Sequence, residues 1–307
     1  MVEPVGHERQ RRLLARRPAQ SLLFVGPEGV GRRTVARWFA YGLNCAQGFP
    51  PCGRCASCRA EHHPDLFEVR PRTKTRGGQI ARRPQIHLDQ IAPRAGAEEP
   101  NLIEWLQTAP RHRAKVAVVD SAHLLGEQAG NALLKVLEEP PPHAYLILIA
   151  PSREAVLPTL ASRSLTVGFG PLPTEQLRSL SENEAALRYS EGAPGRLMAA
   201  LADPAGLAEA ESAAKAWVES LGRDAAELLA QTEALRRLAE GPFDPWVFVA
   251  QAWEDWPPPA REAALAALLR AREELEAYVA ADLVFTRLAL TLRRIYADLR
   301  AGSPLPR

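Results

Sequence analysis

The sequence has 307 residues, 46% of them hydrophobic, and a formal net charge of +2. That is enough apolar chain for a globular protein of two or three domains. The charge is too small for the molecule as a whole to gather nucleic acid by its field, and no run approaches the roughly 18 uninterrupted apolar residues of a membrane span. The stretch from Met1 to Pro18 has no apolar run of the signal-peptide kind, so a cytoplasmic protein with no membrane partner is expected. Arg9, Arg11, Arg12, Arg16 and Arg17 form a local basic cluster, read as the solvated face of a helix.

In chain order, SLLFVG (Ser21 to Gly26) is a short buried-strand pattern running into a glycine-rich turn, and a helix is predicted from about Arg33 to Leu43. A cysteine-rich segment follows, then DLFEVRP as a strand and a Gly/Arg-rich loop from Thr73 to Pro84. A helix is predicted from about Leu88, with a break near Pro93 to Pro100. KVAVVD, ending at Asp120, reads as a central strand. GEQAGNALLKVLEE has helical periodicity stopped by Pro140 to Pro142, and AYLILIA is another buried strand. Strands alternating with helices predict a parallel sheet with helices on both faces. After Gly170 the strand signal ends. A short helical segment with a Gly192-Ala193-Pro194-Gly195 turn extends to about Asp203, and Ala/Leu-rich helix follows from about Pro204, with two bundle helices expected within Arg261 to Leu299.

GPEGVGRR, Gly26 to Arg33, lies between a strand and a helix as a phosphate loop GxxxxGK[ST] does, with Gly26, Gly29 and Gly31 supplying the turn. In a working loop, backbone N–H groups and the helix N-terminus cradle phosphate, lysine neutralises it and the hydroxyl binds magnesium. Here Arg32 stands at the lysine position and Arg33 at the hydroxyl position. Arginine is no equivalent of lysine, and Arg33 cannot ligate magnesium. Asp120 ends the acidic motif, but Ser121 stands where an ATPase of this class carries the glutamate that activates water. The loop therefore reads as scaffold, with ATP not expected to be held or turned over.

Cys45, Cys52, Cys55 and Cys58 are separated by six, two and two intervening residues, in a chain without secretory features. Such clustering favours a metal over disulfides, and four thiolates suffice for one closed, structural zinc. His62 and His63 are close enough in sequence for a site of three cysteines and one histidine, which the complete cysteine set makes unnecessary.

NALLKVLEEPP, Asn131 to Pro141, resembles a signature of the clamp-loader subunits of bacterial DNA polymerase III, which are AAA+ proteins. It is joined by the four-cysteine module after the phosphate-loop helix, by HPD at His63 to Asp65, and by Ser162-Arg163. The resemblance implies an α/β AAA+ domain over residues 1–170 with the zinc module at 45–58, a helical lid over 171–203 and a helical collar over 204–307. It also implies a role in DNA replication within a five-subunit ring that opens a sliding clamp and loads it onto primed DNA, with gamma/tau and delta subunits as partners. Arg163 then corresponds to an arginine finger acting in trans, with Ser164 where the family carries cysteine. The two defective motifs, and Gly195 where a second sensor arginine is expected, imply a non-hydrolysing member. The alternatives are an active gamma/tau-like ATPase and a free-standing zinc-dependent nucleic-acid-binding module; against the latter, the cysteine loop has few aromatic or basic residues besides Arg54 and Arg59.

Overall fold

The computed structural model describes residues 3–74, 80–93, 100–277 and 279–301. The chain divides into two compact units, Met1–Glu182 with Glu191–Gly195, and Asn183–Ser190 with Arg196–Arg307.

The first unit is built on a parallel sheet of β1 (Ser21–Val25), β2 (Leu66–Val69), β5 (Lys115–Val119), β6 (Ala144–Ala150) and β7 (Leu165–Gly168). Their spatial order is β2-β5-β6-β1-β7. Because side chains alternate along a strand, each strand feeds both faces. Leu22 and Phe24 of β1 join Val116, Val118, Ile147 and Ile149 in one core, covered by α1 (Glu8–Ala15) and α2 (Arg32–Leu43). Leu23 joins Ala117, Val119, Leu146 and Leu148 in the other, covered by α4 (Leu88–Ile91), α5 (Leu102–Gln107), α6 (Glu127–Glu138) and α7 (Pro158–Ser162). The expected helix–sheet–helix arrangement is therefore present. A one-turn α3 (Ala56–Arg59) lies in the cysteine segment, and α8 (Thr174–Arg178) follows the sheet.

Two details differ from the sequence reading. The Gly/Arg-rich segment is largely an antiparallel ribbon of β3 (Arg72–Lys74) and β4 (Ile80–Gln85), with residues 75–79 outside the described set. Leu165–Gly168 is an additional strand, a short edge paired with β1. The expected break after Leu88 is present, since α4 ends at Ile91 and α5 begins at Leu102; residues 94–99 lie outside the described set.

Apart from the first two residues of α10, the second unit holds α9 (Glu184–Ser190), α10 (Pro194–Ala202), α11 (Pro204–Ser220), α12 (Ala225–Ala239), α13 (Pro245–Gln251), α14 (Pro258–Glu276) and α15 (Ala281–Ala301). Aspartates start three of these helices: the side chains of Asp203, Asp224 and Asp244 accept from first-turn N–H groups of Gly206, Glu227 and Trp246. Those donors have no partner within the helix, and Pro204 and Pro245 suit the first helical position because they lack one. The core centres on Trp217, which is fully buried, with Trp246 beside it and Phe285 beyond. Its indole N–H donates to Thr232 Oγ1 at 2.8 Å, so the ring's one polar atom is satisfied. Trp217→Ala is expected to destabilise the protein by about 3–5 kcal/mol through lost burial and a residual cavity, read as a lower denaturant midpoint.

Candidate functional site: an arginine-filled phosphate loop and a four-cysteine knot

The loop joining β1 to α2 has the shape its glycines permit. Gly26, Gly29 and Gly31 all take positive φ. At Gly26 a Cβ would fall 2.0 Å from the Phe169 carbonyl oxygen, so only glycine fits. The loop's own carbonyls are already engaged: Val30 O accepts from His7 Nε2 at 2.7 Å, and Gly29 O accepts from the Gly195 N–H at 2.8 Å. A side chain at 195 would press on the Gly29 backbone at 3.0–3.1 Å, which accounts for glycine there. His7 is buried, with its ring edge-on to Phe169 at 5.0 Å.

The two arginines take different hydrogen-bond and ion-pair partners, although both lie near Asp120. Arg32 donates to Ala150 O, at the carboxyl end of β6. Burial pushes its pKa below the ordinary value, opposed by the nearby carboxylates of Asp120 and Glu28. Arg33 places Nε 3.3 Å from Glu68 Oε1 and Nη1 3.9 Å from Asp120 Oδ2. Glu68 also faces Arg37 Nε at 4.0 Å and Arg70 Nη2 at 3.5 Å. Asp120 follows β5 directly, its N–H donating to Val69 O at the end of β2. Ser121, next in the chain, is left-handed with φ 62°. The sequence reading identified Arg32, Arg33 and Asp120. It missed Glu68, Arg37, Arg70 and His7, whose proximity to the loop depends on strand order and on the packing of the N-terminal segment.

The four cysteines converge. Their sulfur atoms lie within 4.8 Å of one another, near the spacing of about 3.8 Å that tetrahedral Zn–S bonds of ~2.3 Å require. Cys45 follows the end of α2, and Cys58 lies in α3. N–H groups of Cys55 and Cys58 point to the sulfurs of Cys52 and Cys55 at 3.4 and 3.5 Å. N–H groups of Ala46 and Cys58 bring the Cys55 thiol down to about 6, and those of Arg54 and Cys55 lower Cys52. Burial instead pushes Cys58 up to about 12. A cation at the centre would offset that burial cost, so the donor set fits a thiophilic divalent metal.

Neither histidine of the earlier alternative joins the set. His63 is buried, its Nδ1 accepting from the Asp65 N–H at 3.1 Å. The ring proton therefore sits on Nε2 and is donated to Ser57 Oγ at 2.8 Å, so this is no nucleophile–base pair. Asp65, 1% exposed, accepts from the N–H groups of Arg111 and His112 at 2.6 and 2.8 Å and from His112 Nδ1 at 2.9 Å. The HPD tripeptide thus ties the knot to β2 and to the segment before β5. On the knot's other side Phe49 packs edge-on against Trp38 at 4.8 Å.

Arg163 lies apart from the loop, at the end of α7. Its Nε donates to Glu138 Oε1 at 2.6 Å and one Nη to Thr159 O at 3.1 Å, and its side chain is 37% exposed. Ser164 is buried and its hydroxyl donates to Leu160 O at 3.0 Å, a bond that suits a small polar residue there.

A phosphate-loop α/β unit with a four-cysteine knot after its phosphate-loop helix, followed by a helical unit, has the architecture of an AAA+ clamp-loader subunit. The sequence profile described as "DNA polymerase III, delta subunit" matches residues 5–173. The chain belongs to that family of DNA polymerase III clamp-loader proteins. It is 33% identical over 164 residues to the DNA polymerase III subunit tau of Escherichia coli, covering 52% of this chain and 23% of that one. It is 34% identical over 160 residues to subunit delta' of Pseudomonas aeruginosa, covering 50% and 44%. The matches thus span less than half the length of these relatives. A gamma subunit-related protein of Thermotoga maritima shares the fold, with TM-score 0.54 and 16% identity over 95% of this chain and 99% of that one.

Proposed function

We propose that this chain is a non-hydrolysing, delta-prime-type subunit of a DNA polymerase III clamp loader, working in the cytoplasm as a fixed member of a ring with gamma/tau and delta subunits. The observation that carries the reading is the direction of the two loop arginines. Where a phosphate-loop ATPase needs a lysine facing phosphate and a hydroxyl facing magnesium, Arg32 is bound to Ala150 O and Arg33 lies against Glu68 and Asp120. These residues do not fit a magnesium-bound triphosphate, and Ser121 offers no carboxylate to orient water. Residues 1–170 would serve as the AAA+ domain, 171–203 as the lid and 204–307 as the collar that assembles with partner subunits. Contact with the sliding clamp and primed DNA would come through the complex. Among the described residues, no helix is long and apolar enough to cross a membrane.

In this role the chain's residues act by position. Arg163 is offered to ATP held by a neighbouring gamma/tau subunit, and Cys45, Cys52, Cys55 and Cys58 hold a structural zinc that takes no part in chemistry. The resemblance to tau subunits keeps a gamma/tau-like motor as the rival, and the two readings separate in one assay. The pure chain is expected to show no magnesium-dependent ATP hydrolysis, and Arg32→Lys with Arg33→Thr is expected not to restore it while Ser121 remains. Robust turnover by the wild-type chain would overturn the proposal. Co-purification with gamma/tau and delta from a mixture tests the assembly half of the reading.

A further inference from the structure

We propose that Arg33 is a built-in cation that replaces a divalent metal at the carboxyl edge of the sheet, holding Asp120 and Glu68 together without any ligand. The inference rests on the non-hydrolysing reading and says what the altered loop does instead. β2 and β5 are adjacent parallel strands, and Glu68 is the register partner of Val118, two residues before Asp120. Two carboxylates therefore meet at neighbouring strand ends, their side chains only 18% and 25% exposed. Half-buried like charges at such an edge repel, and their desolvation is offset only if a cation stands nearby.

In a metal-binding phosphate loop that cation is magnesium, oriented by the hydroxyl at the position of Arg33. Here the guanidinium reaches both carboxylates from that same position, with Nε toward Glu68 and Nη1 toward Asp120. A planar ion with diverging N–H groups can span two acceptors, which a compact ammonium on the same stem does less well. Arg37, one helical turn on, and Arg70 add charge at Glu68, and Arg32 adds charge near Asp120, so among the described residues Arg33 is the guanidinium within 4.0 Å of both carboxylates. The rest of the loop is likewise held by the protein, through His7 on Val30 O and Gly195 on Gly29 O. Two of the loop carbonyls are thus engaged by donors of the protein itself.

The test is thermal unfolding of the full-length, zinc-loaded chain with and without added magnesium and with no nucleotide present. The wild-type midpoint is expected to be unmoved by magnesium, since ligand stabilisation needs a site that the folded state offers. Arg33→Thr is expected to lower the midpoint by about 2–4 °C and to regain most of that loss in millimolar magnesium. Arg33→Lys should fall between the two and respond weakly. Adding Asp120→Asn to Arg33→Thr should remove the magnesium response, because the acceptor of the charge is gone. A wild-type chain stabilised by magnesium would overturn the proposal, as would an Arg33→Thr chain as stable as wild type or indifferent to magnesium. Should Arg33→Thr fail to fold, Arg33→Lys decides the matter, because a lysine variant with the wild-type midpoint and no magnesium response would show that any cation suffices and that the two-acceptor span is irrelevant. ATP hydrolysis by the wild-type chain would sink the non-hydrolysing reading separately, since no melt contains nucleotide.

Discussion

If Arg163 is the proposed finger, replacing it with alanine in an assembled clamp loader is expected to slow hydrolysis at the ATP site of the neighbouring subunit by on the order of 10³–10⁵, while the variant chain itself stays folded and joins the ring. Phosphoryl transfer spreads negative charge over the γ-phosphate, and an arginine supplied across an interface stabilises that charge without taking part in bonding. In the isolated chain the guanidinium rests on Glu138 and Thr159 O. With side chains 37% and 49% exposed, such a pair contributes no more than about 1 kcal/mol, so a stronger anion can take Arg163 from it and its loss barely affects folding. Other subunits would supply fingers to other sites, so total ATPase should fall in part and clamp loading by more. The result that sinks the assignment is a complex that assembles with the variant and loads clamps at the wild-type rate. Glu138→Ala is a useful companion: it removes the resting partner, and loading that holds or rises with it separates a finger from a structural ion pair.

Much of the first unit was legible because its central strands β1, β5 and β6 are buried on both faces. VAVV, after Lys115, and AYLILIA are unbroken apolar runs between polar or proline-rich stretches, and the structure ends them within a residue of where the sequence does. The helix expected from Arg33 begins at Arg32, and its pattern is nearly all apolar beyond Thr34 because sheet and α1 cover it. Leu165–Gly168 escaped notice since a four-residue edge strand has little room for a pattern, and its Leu165 is exposed. The β3–β4 ribbon escaped for a different reason. Arg, Thr, Gly and Gln read as loop, and such residues become strands only through cross-strand pairing, which a local pattern does not carry.

The candidate site divides the same way. Glycine spacing and cysteine spacing are local, so Gly26, Gly29, Gly31 and the four cysteines could be picked out directly. Where Arg32 and Arg33 point could not, because long side chains choose partners from distant strands. Ala150 is 118 residues from Arg32, and Glu68 reaches Arg33 only because β2 enters the sheet beside β5. His63 shows the converse. Its position beside the cysteines suggested a ligand, yet its two ring nitrogens are committed to Asp65 N–H and Ser57 Oγ.

Removing the metal should have the largest effect of all. Protein purified without chelator is expected to carry about one zinc per chain, bound by sulfur alone, which elemental analysis and X-ray absorption can establish through a Zn–S distance of ~2.3 Å. Structural zinc contributes on the order of 10 kcal/mol to the order of a small metal-bound module, because unligated thiolates repel and have no other means of converging. Cys58 makes the dependence acute: it is 1% exposed, and without a cation burial holds its thiol at about 12. Cys58→Ser should therefore lose the zinc and loosen residues 45–58, leaving Arg54 and Arg59 open to trypsin at a rate the zinc-loaded chain does not show. The sheet should survive, since its cores on both faces are built from other residues and Asp65 anchors the segment after the knot independently. Far-UV circular dichroism would then change little while the cleavage pattern changes sharply. Zinc-free wild-type protein, or a mass lowered by oxidation of the cysteines to disulfides, would show that these thiols serve some other purpose.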